Sequence, residues 1–151
     1  MDEKHDTPGE LKARALKHLV RREHSRAELA RKLAPHAESP AAVEAVLDSL
    51  LSRNQQSDER FASERARVLS RKYGAAKIRQ DLKARGVSEE IVDRLSGEGE
   101  LDRAKAVLER KYRSPSSSRE ETAKRARFLQ GRGFSYDVIR AVLKEVDQHR
   151  N

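Results

Sequence analysis

Basic side chains recur at helical spacing near the start of this chain. Arg14, Lys17 and Arg21 are separated by three and four residues, so on a helix they share one side. They lie opposite an apolar face formed by Leu11, Leu16, Leu19 and Val20. A second stripe of this kind consists of Arg60, Glu64, Arg67 and Arg71. Guanidinium and ammonium groups in such rows bind phosphates and carboxylates, so the spacing predicts a basic strip for a polyanionic partner.

The last third of the chain extends this strip, with acidic residues mixed in. Its candidate residues are Arg110, Arg113, Lys124 and Arg132. The net charge is +8, and Lys and Arg exceed Asp and Glu by one in residues 1–56, by two in residues 57–98 and by five in residues 99–151. This balance favours a polyanion or an acidic protein surface as the partner. The alternative is a solvated basic surface that has no partner.

Residue types that catalyse reactions or bind metals form no cluster in the sequence. The five histidines, at positions 5, 18, 24, 36 and 149, include no pair at the i, i+3 or i, i+4 spacing that places two ligands on one helical face. We interpret them as ordinary surface or turn residues. The absence of cysteine excludes disulfides and thiolate zinc sites. The sequence therefore predicts no catalytic site, no metal ion and no cofactor.

Several aromatic residues are candidates either for stacking on nucleobases or for an apolar core. They are Phe61, Tyr73, Tyr112 and Phe128. Aromatic side chains at helical spacing belong to a core more often than to a binding surface, so the core interpretation is favoured. Phe128 lies off the main apolar stripe of its helix and fits this interpretation least well.

Three similar segments must position these residues. Two clear copies occupy residues 78–92 and 125–139, and a looser copy occupies residues 29–43. The copies are 49 and 47 positions apart. The residues that fall in register include Leu33, Leu82 and Leu129, together with Ser39, Ser88 and Ser135. A period of this length is typical of an array of helical units.

The turn within each copy follows from its residue types. Gly86 and Gly133 come four residues after the leucine and supply the left-handed backbone that ends a helix. Ser88 and Ser135 come two residues later, where a hydroxyl group caps the next helix. The first copy has Ala37 at the glycine position, so we expect its turn to be built differently.

The patterns together predict an all-α fold. An apolar helical stretch precedes each copy, and no segment alternates in the manner of a strand. We expect three tandem three-helix repeats in an elongated curved array. The expected boundaries are a disordered N-terminal tail over residues 1–9, repeat 1 over residues 10–56, repeat 2 over residues 57–98 and repeat 3 over residues 99–148.

The connections and the ends of the chain give further expectations. Ser96-Gly97-Glu98-Gly99 and residues 113–118 are rich in glycine or serine, and we expect both to be flexible joints. The N-terminus has no apolar signal region, and no apolar run is long enough to span a membrane. Together with the absence of cysteine, this predicts a cytoplasmic protein without a membrane partner. We expect it to be a monomer.

Longer stretches of the sequence resemble a known family. The stretches are LKHLVRREHSRAELARKL at residues 16–33, SDERFA at residues 57–62, GAAKIRQDLKARGV at residues 74–87 and LQGRGFSYDVIRAVL at residues 129–143. In this order they resemble three signatures of the bacterial RecX family of recombination regulators, over roughly residues 11 to 147. One departure is Glu64-Arg65-Ala66, where the family often has an apolar or aromatic residue.

The resemblance implies a function and a partner. Proteins similar to this one are non-enzymatic regulators of homologous recombination, DNA repair and the SOS response, and they inhibit the RecA recombinase by acting on its filament on single-stranded DNA. Two mechanisms are associated with the family: lying in the helical groove of the filament, and blocking the addition of subunits at its growing end. The expected partners are therefore the RecA filament and, weakly and without specificity, single- or double-stranded DNA. The candidate filament-binding residues are Arg14, Lys17, Arg21, Arg60, Arg67, Arg71, Arg110, Arg113, Lys124 and Arg132.

Two other classes of function stay open on the residues alone. Three-helix units with a capped last helix resemble helix-turn-helix domains, which favours a nucleic-acid-binding helical module that acts directly on DNA. Against this, the last helix of repeat 2 starts with Glu89 and Glu90, where a DNA-reading helix would meet phosphates. An enzyme is the third class, and no group of residues supports it.

Overall fold

The computed structural model describes the backbone of residues 4–148 and the side chains of residues 4–145. Within this range, apolar residues at helical spacing form nine α-helices and one short 3₁₀ helix. The α-helices are α1 (Pro8–Arg21), α2 (Arg26–Leu33), α3 (Pro40–Ser52), α4 (Asp58–Leu69), α5 (Ala75–Ala84), α6 (Glu89–Ser96), α7 (Glu100–Lys111), α8 (Arg119–Gly131) and α9 (Tyr136–Gln148). The 3₁₀ helix spans Ala34–His36. No strand occurs in this range, so the predicted all-α class is confirmed.

Each group of three helices has its own apolar core. Repeat 1 consists of α1 to α3, repeat 2 of α4 to α6 and repeat 3 of α7 to α9, and each helix packs mainly on helices of its own repeat. Leu33, Leu82 and Leu129 are all 0% exposed, one in each core, which confirms the predicted register. The chain exposes 10127 Å², whereas a compact monomer of its mass exposes about 7800 Å². An elongated array of small units has more exposed surface than a compact domain of the same mass, which accounts for the excess. The curvature of the array stays a prediction.

The first helix begins earlier than the sequence suggested. The hydroxyl group of Thr7 accepts a hydrogen bond from the Glu10 backbone N–H (3.2 Å), and the Glu10 carboxylate accepts one from the Thr7 N–H (3.0 Å). This capping box, with Pro8 in the first helical position, starts α1 before residue 10. The start of α1 thus falls two residues before the predicted beginning of repeat 1, and the disorder of residues 1–9 stays a prediction. Residues 1–3 lie outside the described residues.

The turns of repeats 2 and 3 contain left-handed glycines, as predicted. The φ angle is 84° at Gly86 and 92° at Gly133. In repeat 1 the 3₁₀ helix precedes Ala37, whose φ is −92°, so this turn is built differently, again as predicted. Ser39 and Ser135 cap α3 and α9 through their hydroxyl groups. The prediction that Ser88 caps α6 in the same way is wrong: its side chain makes no capping bond, and only the acidic residues of the first turn favour the helix start.

A hydrogen bond to one backbone carbonyl recurs at each repeat. The carbonyl groups of His36, Arg85 and Arg132 are in register, 49 and 47 positions apart, just before the turn of their repeat. The Ser25 hydroxyl donates to the carbonyl of Arg85 (2.6 Å), and the Gly74 N–H donates to that of Arg132 (2.9 Å). Ser25 and Gly74 are themselves the N-caps of α2 and α5, so the two junctions between repeats are equivalent.

The segment before α1 makes the equivalent bond to repeat 1. The Asp6 N–H donates to the His36 carbonyl (2.8 Å), the bond that a helix N-cap of the preceding repeat makes at the other two positions. The Asp6 carboxylate also accepts hydrogen bonds from the Arg14 guanidinium (2.8 and 3.2 Å). Asp6 thus occupies, against repeat 1, the position that a helix N-cap of the preceding repeat occupies against repeats 2 and 3.

Arginine side chains fasten both of the connections that were expected to be flexible. The Arg103 guanidinium donates to the carbonyl groups of Ser96 (2.9 Å), Glu98 (3.1 Å) and Tyr73 (3.0 Å). Burial lowers the pKa of Arg103. Each of its three guanidinium nitrogens donates to one of these carbonyl oxygens. In the second connection, Arg125 donates to the Ser114 carbonyl (2.8 Å). Local glycine and serine content predicted flexible joints, because composition does not show these hydrogen bonds from arginine side chains to backbone carbonyl groups.

Candidate functional site

The basic stripe on α1 is present, but its members differ in availability. Arg14 is engaged by Asp6 in the ion pair described above. Lys17 and Arg21 are exposed, and neither has a carboxylate within 4.0 Å among the described side chains. Val20, expected on the apolar face, is instead 86% exposed, because the buried face of α1 is formed by Leu11 and Ala15. Val20 therefore lies on the same side as Lys17 and Arg21.

The stripe on α4 is partly neutralised by carboxylates. Arg60 is half-buried; its Nε donates to Glu23 (3.0 Å) and its Nη1 to Asn54 (2.9 Å). It therefore joins repeat 2 to the end of α1 rather than facing only solvent. Arg67 is exposed and pairs with Glu64 one turn earlier (2.6 Å). An exposed pair of this kind contributes little free energy, so a polyanion can displace Glu64 from Arg67.

Arg71 and Arg110 meet at the junction between repeats 2 and 3. The helix that carries the α4 stripe ends at Leu69, so Arg71 lies in the connection to α5 and not on the helix as predicted. The Arg110 guanidinium, from α7, donates to the Arg71 backbone carbonyl. Both side chains are exposed, and no described carboxylate lies within 4.0 Å of either. The strip therefore passes from repeat 2 to repeat 3 at this point.

Arg132 contacts two aromatic rings at the same junction. Its guanidinium carbon is 5.7 Å from the ring centroid of Tyr73 and 5.2 Å from that of Phe128. Lys111 lies 5.8 Å from the Phe128 centroid. Such contacts between a cation and a ring hold a side chain in place without using its hydrogen-bond donors. No acceptor for the Arg132 guanidinium lies among the described residues, so its donors are available to a ligand.

The core interpretation of the aromatic residues holds for three of the four. Phe61 is 2% exposed in the core of repeat 2, and Tyr112 and Phe128 pack against the core of repeat 3. The ring of Tyr112 meets that of Phe128 edge to face, with centroids 5.8 Å apart. Tyr73 contacts none of the three cores described for residues 4–145, so its predicted core role is wrong. It follows the end of α4 and lines the junction instead.

The remaining candidates, Arg113 and Lys124, make no described contact with Arg71, Arg110 or Arg132. Arg113 follows α7 and Lys124 lies on α8; both are exposed, with no ion pair among the described residues. The structure thus brings Arg110 onto the Arg71 carbonyl and Arg132 onto the Tyr73 ring, and it engages Arg14, Arg60 and Arg67 with carboxylates.

The junction between repeats 1 and 2 contains a buried carboxylate that the sequence did not reveal. Glu28 is 9% exposed and accepts hydrogen bonds from Arg22 (3.1 and 3.2 Å), from Arg85 (2.8 Å) and from the Ser25 N–H (3.1 Å). Burial by itself raises the pKa of Glu28, but these donors outweigh it and lower the pKa to about 2. The ionised side chain therefore holds two repeats together.

One histidine departs from the surface interpretation. His24 lies in the turn between α1 and α2, but it is only 2% exposed. Its Nδ1 lies 3.0 Å from the Arg22 carbonyl, and its Nε2 lies 2.9 Å from the Lys32 ammonium nitrogen. A protonated Nδ1 and an accepting Nε2 satisfy both contacts, which describes a neutral imidazole, and burial lowers the pKa of His24 accordingly. His149 lies outside the described residues.

The geometry therefore offers cations that can bind anionic groups. Within the described residues, no set of three or more His, Asp or Glu side chains is arranged to hold a metal ion. In the same part of the chain, no helix is long and apolar enough to cross a membrane. The strip candidates that lack a described carboxylate partner are suited to phosphate or carboxylate binding; they are Lys17, Arg21, Arg71, Arg110, Arg113, Lys124 and Arg132.

Sequence profiles of one family match the chain in three consecutive segments. The first three-helix domain of RecX matches residues 12–50, the second matches residues 57–94 and the third matches residues 98–143. Each matched segment falls in one of the three repeats of the structure.

Individual proteins and solved structures agree with this match. The protein named "Regulatory protein RecX" of Leptothrix cholodnii is 44% identical over 144 residues, covering 93% of this chain and 92% of that protein. The protein of the same name from Neisseria meningitidis serogroup B is 43% identical over 136 residues, covering 89% of each. The crystal structure of RecX from Lactobacillus salivarius has a TM-score of 0.79 at 21% identity, covering 93% of this chain and 97% of that one, and shares the fold. With all three domains matched in order, the chain belongs to the RecX family of regulatory proteins.

Proposed function

We propose that this protein binds the RecA filament on single-stranded DNA through its basic strip and inhibits the extension and the activities of the filament, without catalysing a reaction. The basic strip comprises Arg14, Lys17, Arg21, Arg60, Arg67, Arg71, Arg110, Arg113, Lys124 and Arg132. In the cell this activity would regulate homologous recombination and DNA repair. Family membership supports a regulatory role, and the resemblance of the sequence signatures supports RecA as the partner.

One observation carries the proposal: cations without described carboxylate partners occur in all three repeats. Lys17 and Arg21 are in repeat 1, Arg71 in repeat 2, and Arg110 and Arg132 in repeat 3. A single small basic domain would offer one such patch. Groups spread along an extended molecule suit a partner that itself presents negative charge repeatedly, as a filament of protein on DNA does.

The extended fold also suggests how binding inhibits. A protein that contacts several filament subunits at once binds their arrangement and resists any change in it, because a ligand favours the state to which it binds more tightly. The same contacts at a filament end would cover the site at which the next subunit adds. Both effects require only binding.

The paired members of the strip would bind at the cost of their present contacts. Arg67 exchanges Glu64 for a filament group easily, because both partners are more than half exposed. Arg60 would have to leave both Glu23 and Asn54, so we expect it to contribute less. The unpaired residues at the junction of repeats 2 and 3 are therefore the ones we expect to dominate binding.

Direct action on DNA is the second candidate function. The aromatic rings beside Arg132 favour it, since rings and cations together bind single strands. The acidic first turn of α6, with Glu89 and Glu90, disfavours insertion of that helix into the major groove. Under this alternative, binding to DNA would not require RecA.

Co-sedimentation decides between the two functions. The protein is centrifuged with preformed RecA filaments on single-stranded DNA and, in parallel, with the same DNA alone, over a series of salt concentrations. We expect the filament to retain the protein at salt concentrations that release it from bare DNA, because contacts with RecA add to the screened phosphate contacts. Equal retention on both at every salt concentration would contradict the proposal and favour direct DNA binding.

A further inference from the structure

An open groove lies beside the junction of repeats 2 and 3. It has a volume of about 360 Å³ and is formed mainly by α5 and the end of α4. Its lining consists of Arg65, Leu69, Tyr73, Lys77, Gln80, Asp81 and Ala84. Tyr73 supplies an aromatic wall and Leu69 an aliphatic one, while Lys77 and Gln80 supply an ammonium group and a side-chain amide. An aromatic ring beside a cation is the combination on which proteins bind single-stranded nucleic acid.

Repeat 3 supplies a second cation next to this groove. The Arg132 guanidinium carbon lies 5.7 Å from the centroid of Tyr73, a residue of the groove wall. The backbone of repeat 3 is fixed at this point, because the Gly74 N–H donates to the Arg132 carbonyl (2.9 Å) and the Ala76 N–H to the Gly133 carbonyl (3.1 Å). Arg132 is therefore held beside the groove from both its backbone and its side chain.

The single carboxylate of the groove lining is already neutralised. Asp81 accepts two hydrogen bonds from Arg65 (3.0 and 2.9 Å) and one from Arg85 (3.1 Å). The Arg65 guanidinium is the main reason that the pKa of Asp81 lies below its ordinary value. Lys77 is exposed and forms no ion pair with a described residue. The groove therefore has an excess of positive charge through Lys77 and Arg132.

We propose that this groove binds one nucleotide of single-stranded DNA. The base packs against Tyr73 and Leu69, Gln80 reaches the polar edge of the base, and Lys77 and Arg132 bind the adjacent phosphate. Stacking on a ring is available to a base only when it is unpaired, so duplex DNA is excluded from the groove. This inference rests on the proposed function, because the filament that the strip is proposed to bind contains such a strand, and it assigns to that strand a particular site.

The groove chemistry distinguishes this ligand from an acidic peptide. A glutamate side chain would pair with Lys77 and Arg132 but has no aromatic face to place against Tyr73, which belongs to none of the described cores. A nucleotide uses both features. The test must therefore detect the base itself and not only the charge.

Photocrosslinking to a halogenated base provides that detection. Oligothymidylate that contains one 5-iodo-2′-deoxyuridine is bound to the full-length protein, and the complex is irradiated in the near ultraviolet. Mass spectrometry then identifies the residue that carries the crosslinked nucleotide. We expect the adduct on Tyr73, and none when the same base is placed in a duplex. Adducts confined to Tyr112 or Tyr136 would overturn the assignment, as would displacement of the oligonucleotide by oligoglutamate as readily as by unlabelled oligothymidylate.

Matched variants test the same site by fluorescence anisotropy. Tyr73→Leu is expected to weaken binding of labelled oligothymidylate by about fivefold or more, whereas Tyr73→Phe, which keeps the ring, stays within twofold of the parent. Tyr136→Leu is the control, because Tyr136 is 72% exposed and lies outside the groove. Arg132→Met is expected to make the slope of log K against log salt shallower by about 0.7, the loss of one single-strand phosphate contact. Equal losses for Tyr73→Leu and Tyr136→Leu would overturn the assignment; circular dichroism verifies that each variant is folded.

The two proposals fail in different ways. If the parent protein sediments with RecA filaments but forms no adduct at Tyr73, the nucleotide site is wrong and the filament function stands. If the adduct forms but filaments retain the protein no better than bare DNA does, the site stands and the filament function is wrong.

Discussion

The Glu100 carboxylate lies 2.9 Å from the backbone nitrogen of Ala75 and so caps a helix that belongs to the preceding repeat. The N-cap of that helix, α5, is Gly74, which has no side chain to do this. A Cβ atom at Gly74 would lie 2.5 Å from the Phe134 Cα, so the close approach of repeat 3 excludes a serine or aspartate there. Glu100 also accepts from the N–H (3.3 Å) and the hydroxyl group (3.2 Å) of Ser135.

Replacing Glu100 should therefore loosen repeat 3 from repeat 2. Glu100→Ala removes the acceptor for both helix starts, and we expect a loss of about 1–2 kcal/mol in the free energy of unfolding. Urea denaturation followed by circular dichroism measures this. Glu98→Ala is the control, because Glu98 is an exposed glutamate two residues away whose carboxylate makes no described hydrogen bond. If both variants unfolded at the same urea concentration as the parent, Glu100 would not be a structural cap.

The sequence predicted the interior of each repeat better than the junctions between them. Leu82 and Gly86 follow from the spacing within one repeat, because a buried leucine and a left-handed glycine satisfy local requirements. Spacing did not predict the structural roles of Glu28, Glu100 and Arg103. Each has at least one partner in another repeat, and which residues meet there depends on how two finished units dock.

The basic strip shows the same difference between features set within one helix and contacts formed between repeats. The spacing placed Lys17 and Arg21 correctly on the exposed side of α1, since helical periodicity alone determines this. It placed Val20 wrongly, because the sequence offers more apolar residues than a small core can bury. It also could not show that Arg71 would meet Arg110, since that contact joins two repeats across a turn whose position depends on where α4 ends.

Acid should weaken the junction of repeats 1 and 2 through Glu28. Its pKa is about 2 in the folded protein and about 4.3 in an unfolded chain, so the unfolded state binds a proton first as the pH falls. The stability that Glu28 contributes is complete above about pH 4.3 and disappears as the pH approaches 2. We expect Glu28→Gln to be less stable than the parent at pH 7, with a difference that shrinks by pH 3. Thermal unfolding of both proteins from pH 3 to pH 7 measures it, and a constant difference would contradict the ionic role of Glu28.

A matched pair of glycine substitutions tests the turn of repeat 3. Gly133 has a φ of 92°, and a Cβ atom there would lie 2.5 Å from Lys77 Cγ and 2.8 Å from the Lys77 backbone nitrogen. Gly133→Ala should therefore cost at least about 2 kcal/mol, from backbone strain and from separation of the two repeats. Gly131→Ala makes the same change at the end of α8, where a Cβ atom meets no other atom within 4 Å, and should be neutral or stabilising by about 0.5–1 kcal/mol. Urea unfolding of the two variants is the measurement, and similar midpoints would show that the turn accepts a side chain.

Charge reversal at the end of α4 tests the proposed filament contact. Arg67→Glu combined with Arg71→Glu should weaken inhibition of the DNA-dependent ATPase activity of RecA and of strand exchange, because two exposed cations of the strip become repulsive. Helicity should survive, since neither side chain is buried. The control is Arg31→Glu combined with Lys144→Glu, which changes the net charge equally at exposed positions on α2 and α9 outside the strip.

The comparison of preformed filaments with bare DNA decides how that result is interpreted. Loss of general electrostatic attraction would affect the strip variant and the control alike, and both losses would diminish at high salt. A specific contact with the filament would affect only the strip variant and would persist as salt is raised. If the strip variant lost its binding to bare DNA but still inhibited preformed filaments as the parent does, Arg67 and Arg71 would be DNA contacts, and the surface that meets RecA would have to be sought elsewhere on the repeats.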